Sequence, residues 1–289
     1  HCEVKRPEIA NWFIQVLNLL PGVEIGEQTV GASAVATLVP GQTTCAIPVA
    51  ICEAGLEDKS KGDWLFTLLE PGDGLDGSFL WASVNSSNKE IKDILTGSSC
   101  DIPASNTPIG SPGVKGGAYN AWNTRFGLYQ GSNSPTNAVP DFTGFTYTAK
   151  SWNQCKNAFD DFAGKRANYA PYQDAKNKSD HTGLKFPVDP SSVLTHREGG
   201  DRRLVTVPVV DCSVLNGPTK QTNAKSWACV LMLHPLDNNP ENAAFCPGQQ
   251  NRAALEYLGP ADDPKSPCAS EGVPGGQNSV GPLVPALVR

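Results

Sequence analysis

Cysteine content is the feature that most constrains how this chain can fold. Its 289 residues include nine cysteines, and no two of them form a C-x-x-C pair. Zinc sites usually contain closely spaced cysteines, and cytosolic proteins rarely keep many thiols without such spacing. A chain of this length buries enough surface to fold without crosslinks. We therefore expect disulfide bonds formed in an oxidising compartment, which is the periplasm, the cell surface or the extracellular space.

Because nine is an odd number, either one thiol is free or a partner lies in sequence outside this chain. Residues 151–164 have the pattern of an amphipathic helix, with Ser151 and Gln154 at capping-box spacing and Gly164 at the expected stop. Cys155 falls on the apolar face of that helix. It is therefore our candidate for the free thiol, buried as a small hydrophobic residue.

Charge and composition exclude several classes of protein. The net charge is −6, the lysines and arginines are scattered, and no basic cluster has the size of a nucleic-acid patch. No apolar run approaches 18 residues, so the visible chain contains no predicted membrane span. Low charge with 28 glycines and 24 prolines favours a loop-rich protein containing β-sheet. We predict an α+β fold in one domain over residues 1–289.

The first 52 residues have the clearest local patterns. After Pro7, apolar residues recur from Ile9 to Leu20 at helical spacing, which predicts a short amphipathic helix lying on a sheet, with a membrane-surface or partner-binding helix as the alternative. Residues 29–39 alternate small and β-branched side chains, as in a strand against which another element packs closely. Cys45 and Cys52 bracket an apolar run that follows it.

Patterns in the rest of the chain predict further elements. Residues 64–69 and 78–84 flank a glycine-rich loop and predict a hairpin, and a helix is predicted from Ser87 to Gly97. Residues 203–210 are the strongest strand, although Pro208 favours an edge position or a bulge. Two shorter strands, 227–234 and 255–258, precede a tail that we expect to be irregular from residue 259.

No motif of a known reaction type is present. The four histidines do not occur in H-E-x-x-H or another metal spacing, and the sequence contains no G-x-S-x-G nucleophile elbow. Paired acidic residues are explained by solvated helix faces and turns. We therefore predict no catalytic residues, no metal site and no cofactor, and expect a protein that is not an enzyme.

Eight runs of sequence stand out as a set: NWFIQVL (11–17), QTVGASAVATLVPGQTTCAIPVAIC (28–52), AWNTRFGLYQG (121–131), DFTGFTYT (141–148), RANYAPY (166–172), DRRLVTVPVVDC (201–212), WACVLMLHP (227–235) and GPLVPALV (281–288). Together they resemble the TadG-like proteins of bacterial Tad (tight adherence, Flp) pili. The resemblance covers nearly the whole chain, and its motifs are structural.

This resemblance implies a minor-pilin-like or pilus-associated protein that acts through shape, adhesion and partner contacts. It implies a pilin-like sheet built from residues 9–39 and 201–258, with 40–200 as an elaborated outer region. The family has an upstream transmembrane helix that this sequence lacks, so we expect a processed or truncated product. Its expected partners are other pilus or envelope proteins, and both homo- and hetero-oligomers stay open.

Two further expectations concern particular side chains. Disulfide pairing does not follow from sequence, and we expect Cys45–Cys52, Cys212–Cys229 and Cys246–Cys268. The alternative function is a secreted binding module, for example one for carbohydrate. It would use exposed aromatic residues such as Trp122, Phe126 and Tyr129, although this aromatic block is also typical of a core.

Overall fold

A computed structural model describes most of the chain, and its fold is α+β as predicted. The described residues are 2–9, 21–22, 28–66, 79–82, 88–97, 108–110, 116–173, 189–215, 221–236, 246 and 253–288. Contacts divide the chain into two compact units, residues 1–39 with 283–289 and residues 40–282. That the whole chain forms one domain stays a prediction.

Strands outnumber helices in the described parts of both units. In chain order, the strands are β1 (Cys2–Ile9), β2 (Gln28–Thr43), β3 (Val49–Cys52), β4 (Trp64–Phe66), β5 (Phe79–Trp81), β6 (Ile109–Gly110), β7 (Leu128–Tyr129), β8 (Asp189–Pro190), β9 (Leu204–Val210), β10 (Gln221–Thr222), β11 (Ser226–Met232), β12 (Ala254–Pro260), β13 (Ala269–Pro274) and β14 (Leu283–Val288). The helices are α1 (Asn88–Thr96), α2 (Gly116–Thr124), α3 (Phe159–Ala167), α4 (Val193–Arg197) and α5 (Cys212–Leu215).

The smaller unit is a ribbon around β2. Strand β1 pairs with β2 in antiparallel register from Cys2↔Ala34 to Ile9↔Gln28, and β14 also pairs with β2. The strand predicted over 29–39 is confirmed. Pro7 lies in β1, so the prediction that a helix begins there is wrong, because strand pairing decides the conformation of this segment. The rest of that predicted helix, residues 10–20, lies outside the described residues.

The larger unit is built on a six-stranded sheet in the order β4-β12-β11-β9-β3-β5. Every neighbouring pair is antiparallel except β3 and β9. All seven residues of β9 are buried, as the continuous apolar run predicts. Strands β4 and β5 lie at opposite edges of the sheet, so the predicted hairpin of residues 64–84 is wrong.

Pro208 lies in an interior strand because the ladder is interrupted beside it. The N–H of Thr206 donates to the Cys45 carbonyl on the β3 side of β9. The backbone nitrogen of Pro208, two residues further along the strand, points to the same side. Pairing on that side is limited to the Ala46↔Thr206 bridge and then resumes at Ile51↔Val209. The missing donor of proline therefore falls in the gap between these contacts.

Two core layers cover the faces of this sheet. Val205, Val207 and Val230 face a cluster that includes the apolar residues of α1 and α2. On the other face, Leu204 and Leu231 belong to a second cluster built with α3 and the segment before it. This arrangement of helices on a mostly antiparallel sheet buries both faces of the central strands.

Helix α3 starts later than the sequence predicts. It begins at Phe159, and the expected capping residue Ser151 bonds within a preceding turn. The carboxylate of Glu256 in β12 instead accepts hydrogen bonds from the N–H groups of Ala158 (2.6 Å) and Phe159 (3.1 Å). A distant acidic side chain thus caps the helix, where the N-terminal dipole favours a negative charge. Burial raises the pKa of Glu256.

Gly164 lies inside α3 and does not end it. A methyl group added there would contact nothing within 4 Å. Replacing Gly164 by alanine should therefore raise the free energy of unfolding by about 0.5–1 kcal/mol, because glycine loses more backbone entropy in a helix. Urea unfolding measures the change, with Ala163→Gly at the neighbouring exposed position as the control expected to destabilise by a similar amount. A loss of stability in Gly164→Ala would contradict the open position of this residue.

The tail after residue 258 is not irregular as predicted. It contains the end of β12 and two further strands, and both β13 and β14 pair with the long strand β2. Proline and glycine content suggested loops, but Pro285 lies within β14 and Gly272 takes a positive φ of 68° inside β13. Long-range pairing overrides the local composition of this segment.

Candidate functional site

Arg203 is a fully buried charge immediately before β9. Its guanidinium donates to backbone carbonyls, and each nitrogen is used. The acceptors are Met232 at 3.0 and 2.8 Å, Thr143 at 3.1 Å, Phe145 at 2.6 Å and Leu233 at 3.4 Å. The planar fork of arginine suits such convergent carbonyls, which a lysine ammonium could not bond in the same way.

The same guanidinium lies between two aromatic rings. Its central carbon is 4.2 Å from the ring centroid of Phe126 and 5.0 Å from that of Phe162. Phe126 belongs to the core cluster on one face of the sheet and Phe162 to the cluster on the other. Arg203 therefore joins the two layers through cation–π contacts. Burial lowers the pKa of Arg203 to about 10, so the group stays charged at neutral pH.

Two further arginines hold the C-terminal end of α1. Arg125 Nε donates to the Leu95 carbonyl (2.9 Å) and Nη2 to that of Ile94 (2.8 Å), while Arg202 Nη2 also donates to Leu95 (2.8 Å). Arg125 additionally donates to the carbonyl of Arg202. The last carbonyls of a helix lack intrahelical donors, and positive charge is favourable at a helix C-terminus. Burial lowers the pKa of both arginines.

Asp141 supplies a buried negative charge beside these arginines. Its carboxylate accepts backbone N–H bonds from Thr143 (3.0 Å), Arg202 (2.8 Å) and Arg203 (2.9 Å). Arg166 Nε lies 3.6 Å from the same carboxylate. The carboxylate thereby fixes the turn that leads into β9 and offsets part of the positive charge that Arg203 brings into the core.

His196 is a buried imidazole with both nitrogens bonded. Nε2 lies 2.6 Å from Ser191 Oγ, and Nδ1 lies 2.6 Å from the Asp141 carbonyl. A carbonyl only accepts, so Nδ1 carries the proton and Nε2 accepts from the serine hydroxyl. Burial lowers the pKa of His196 and favours this neutral form.

The hydrogen bond between Ser191 and His196 resembles the one between a nucleophile and its general base in hydrolases, but glycine backbone lies close to both side chains. A Cβ on Gly127 would lie 1.8 Å from Ser191 Oγ, and one on Gly144 would lie 3.0 Å from His196 Nε2. The imidazole has no exposed surface. The backbone of these two glycines therefore lies against one side of the serine hydroxyl and the imidazole. The pair satisfies buried polar atoms.

Five of the sequence runs quoted in the sequence analysis contribute to one network of buried charged side chains and their hydrogen-bond partners. Arg125 comes from residues 121–131, Asp141 from 141–148, Arg166 from 166–172, Arg203 from 201–212 and the acceptor carbonyl of Met232 from 227–235. Sequence reasoning missed these residues and took the arginines as scattered charge. The signal that could have found them was an arginine inside the aromatic block and two arginines directly before the most apolar strand.

A small open pocket lies beside β7 and β8. Its volume is about 420 Å³, and antiparallel pairing places Tyr129 opposite Asp189 at its rim. The described residues that line it are largely polar and include no lysine or arginine. They are Tyr129, Gln130, Gly131, Asn133, Ser134, Pro135 and Asp189.

The aromatic residues predicted for ligand binding are core residues. Trp122 and Phe126 have no exposed surface, and Tyr129 is 4 % exposed. Trp122 Nε1 donates to the His234 carbonyl (2.9 Å), which fixes its ring inside the core. The proposal of a binding platform made by all three is therefore wrong, and Tyr129 alone reaches the pocket.

Seven of the nine cysteines are disulfide-bonded in the part of the chain that the structure describes, but not in the expected pairs. The disulfides are Cys52–Cys212, Cys155–Cys246 and Cys229–Cys268. Cys45 is also disulfide-bonded. Cys155 is therefore not the free thiol: it lies in a turn before α3, with a φ of 54°, and not on a helix face. The expected pairs failed because tertiary packing brings together cysteines that are far apart in sequence.

Neither a metal cluster nor a membrane span is found in the described part of the chain. No group of three or more histidine, cysteine, aspartate or glutamate residues within the described ranges could hold a metal ion. None of the helices described above combines the length and apolarity needed to cross a bilayer.

Comparisons with known proteins identify no match for this chain: no protein-family model, no curated protein and no solved structure matches it.

Proposed function

We propose that this protein is a non-enzymatic, pilus-associated protein of the TadG-like kind that acts outside the cytoplasm in structure or adhesion. The observation that carries the proposal is the burial of the resemblance-bearing segments. Five of them contribute to one internal network that includes Arg125, Arg203 and Asp141, which have at most 1 % exposed surface. Motifs used in this way specify architecture, which fits a protein whose work is done by shape and contacts.

The disulfides support the proposed location. Three of them link distant parts of the larger unit, and such bonds persist in oxidising compartments. They fit the periplasm, the cell surface or the extracellular space, where pilus proteins act.

The ribbon around β2 is the surface that we propose for contact with pilus or envelope proteins. Strands β2 and β14 contain no charged residue. Val35 is 50 % and Leu38 63 % exposed, and Leu283 and Leu287 of β14 are 64 % and 78 % exposed. A β-sheet normally buries at least one apolar face against another element. Exposed apolar surface of this kind is typical of interaction sites.

Co-sedimentation with Tad filaments sheared from the parent bacterium tests this function. The purified chain should sediment with the filaments, and the double variant Val35→Asp/Leu38→Asp should lower the bound fraction at least about tenfold, because each carboxylate would have to be desolvated at the contact. Leu194→Asp is the matched control, since Leu194 is 67 % exposed but lies outside the ribbon. If the unaltered chain stays in the supernatant, the proposed function is wrong.

A further inference from the structure

The pocket beside β7 and β8 is held in shape by hydrogen bonds within its own loop. Asn137 Oδ1 accepts from the Ser134 N–H at 2.8 Å, and Asn137 Nδ2 donates to the Ser132 carbonyl at 2.8 Å. At the start of the loop, Tyr129 Oη donates to the Ala138 carbonyl at 3.1 Å. A site whose loop is already ordered loses less conformational entropy when a ligand enters.

The lining of this pocket offers both donors and acceptors. Gln130 and Asn133 each carry an amide that donates and accepts, Ser134 carries a hydroxyl, and Asp189 carries an acceptor carboxylate. An anionic ligand would meet the charge of Asp189 with no cationic residue among the described lining residues to offset it. An ammonium ion would have Asp189 as its charged partner at the surface, an interaction that solvent largely screens. Hydroxyl groups both donate and accept, and they match this lining best.

One side-chain atom of a lining residue lacks a hydrogen-bond partner among the described residues. Gln130 Oε1 is buried and accepts no hydrogen bond within the described ranges. Buried acceptors are nearly always bonded, so an exception requires an explanation. A ligand hydroxyl in the pocket would supply the missing donor after a rotation of the amide group.

We propose that this pocket binds one neutral sugar unit. Its volume of about 420 Å³ lies in the range of small-molecule sites. Asp189, Asn133 and Gln130 bond the ring hydroxyls, and Pro135 contacts the apolar C–H surface of the sugar. This activity goes beyond the pilus-associated role and does not depend on it, because a free secreted protein with the same loop would bind equally well.

Titration of the intact, oxidised protein followed by amide NMR tests the proposal. The probes are glucose, galactose, mannose and N-acetylglucosamine, with ethanolamine as a cationic comparison. At least one sugar should bind saturably with a Kd on the order of 1 mM and shift the amide signals of Gln130 to Ser134. Asp189→Asn should weaken binding about threefold, since a charge-assisted hydrogen bond at an exposed site becomes a neutral one. Asp58→Asn, an exposed turn residue elsewhere, should change nothing.

Gln130→Leu provides a second variant on the other side of the pocket. It should abolish saturable binding while unfolding in urea at an unchanged or higher midpoint, because it removes an unsatisfied buried acceptor. Absence of binding for all four sugars overturns the proposal. So does binding that Asp189→Asn and Gln130→Leu leave unchanged, or binding of ethanolamine alone.

Discussion

Replacing Arg203 by methionine should lower the free energy of unfolding by about 4 kcal/mol. The change removes all five hydrogen bonds that the guanidinium donates. It leaves the carbonyls of Thr143 and Phe145 without this donor, at about 1–3 kcal/mol for each buried acceptor that stays unsatisfied. It also removes a buried positive charge whose electrostatic interaction with the buried Asp141 carboxylate is favourable. Urea unfolding at neutral pH measures the loss.

Two other substitutions separate the causes of this effect. Arg203→Lys keeps the positive charge but loses the planar guanidinium. Its free energy of unfolding should therefore lie between those of the methionine variant and the unaltered protein. Arg197→Met removes an exposed arginine whose central guanidinium carbon lies 5.7 Å from the ring centroid of Tyr169. This substitution should change the free energy of unfolding by less than about 1 kcal/mol. An Arg203→Met protein within about 1 kcal/mol of the parent would mean that the network does not hold the two core layers together.

Elements set by local patterns could be predicted from the sequence. The helix α1, with its glycine stop at Gly97, and the strands β9 and β11 follow from the spacing of their apolar residues. Elements that depend on distant partners could not. Strand β1 forms because β2 pairs with it, and β14 forms beside the same strand although it contains Pro285. Neither pairing leaves a periodic signal in the sequence, and the pairing of β14 with β2 joins segments more than 200 residues apart.

The start of α3 shows the same limit within one helix. Ser151 and Gln154 satisfy a capping pattern, yet the helix is capped by Glu256, about a hundred residues later in the chain. The sequence therefore contains a local capping pattern at Ser151, but the helix starts where the buried carboxylate of Glu256 accepts its first N–H groups. Its position follows from the pairing of β12 with β4 and β11, which places Glu256 opposite Trp64.

The arginine network was hidden from sequence reasoning for a related reason. Charged side chains are almost never fully buried unless paired, so arginines are expected at the surface. Arg125 and Arg203 are buried because the acceptors come from separate segments that meet only in the fold. Single-residue context cannot show that such acceptors exist.

Replacing both Cys52 and Cys212 by alanine should lower the free energy of unfolding by roughly 5 kcal/mol. This bond closes a loop with a sequence separation of 160, and the entropy that it removes from the unfolded chain grows with loop length. It also links the last residue of β3 to the first residue of α5, two residues after β9, next to the short parallel pairing of Ile51↔Val209 and Cys52↔Val210. Loss of the crosslink should weaken the β3–β5 end of the sheet first.

The matched control is the pair Cys229–Cys268, which is also buried but has a sequence separation of 39. Its replacement by alanine should destabilise the protein by about 1 kcal/mol less, because its loop is shorter. Peptide mapping of the oxidised protein should first recover Cys52–Cys212 and Cys155–Cys246 as linked fragments. Recovery of Cys45–Cys52 or Cys212–Cys229 instead would contradict the pairing. Equal stability of the Cys52→Ala/Cys212→Ala variant and the parent would show that the β3–β9 pairing holds without this crosslink.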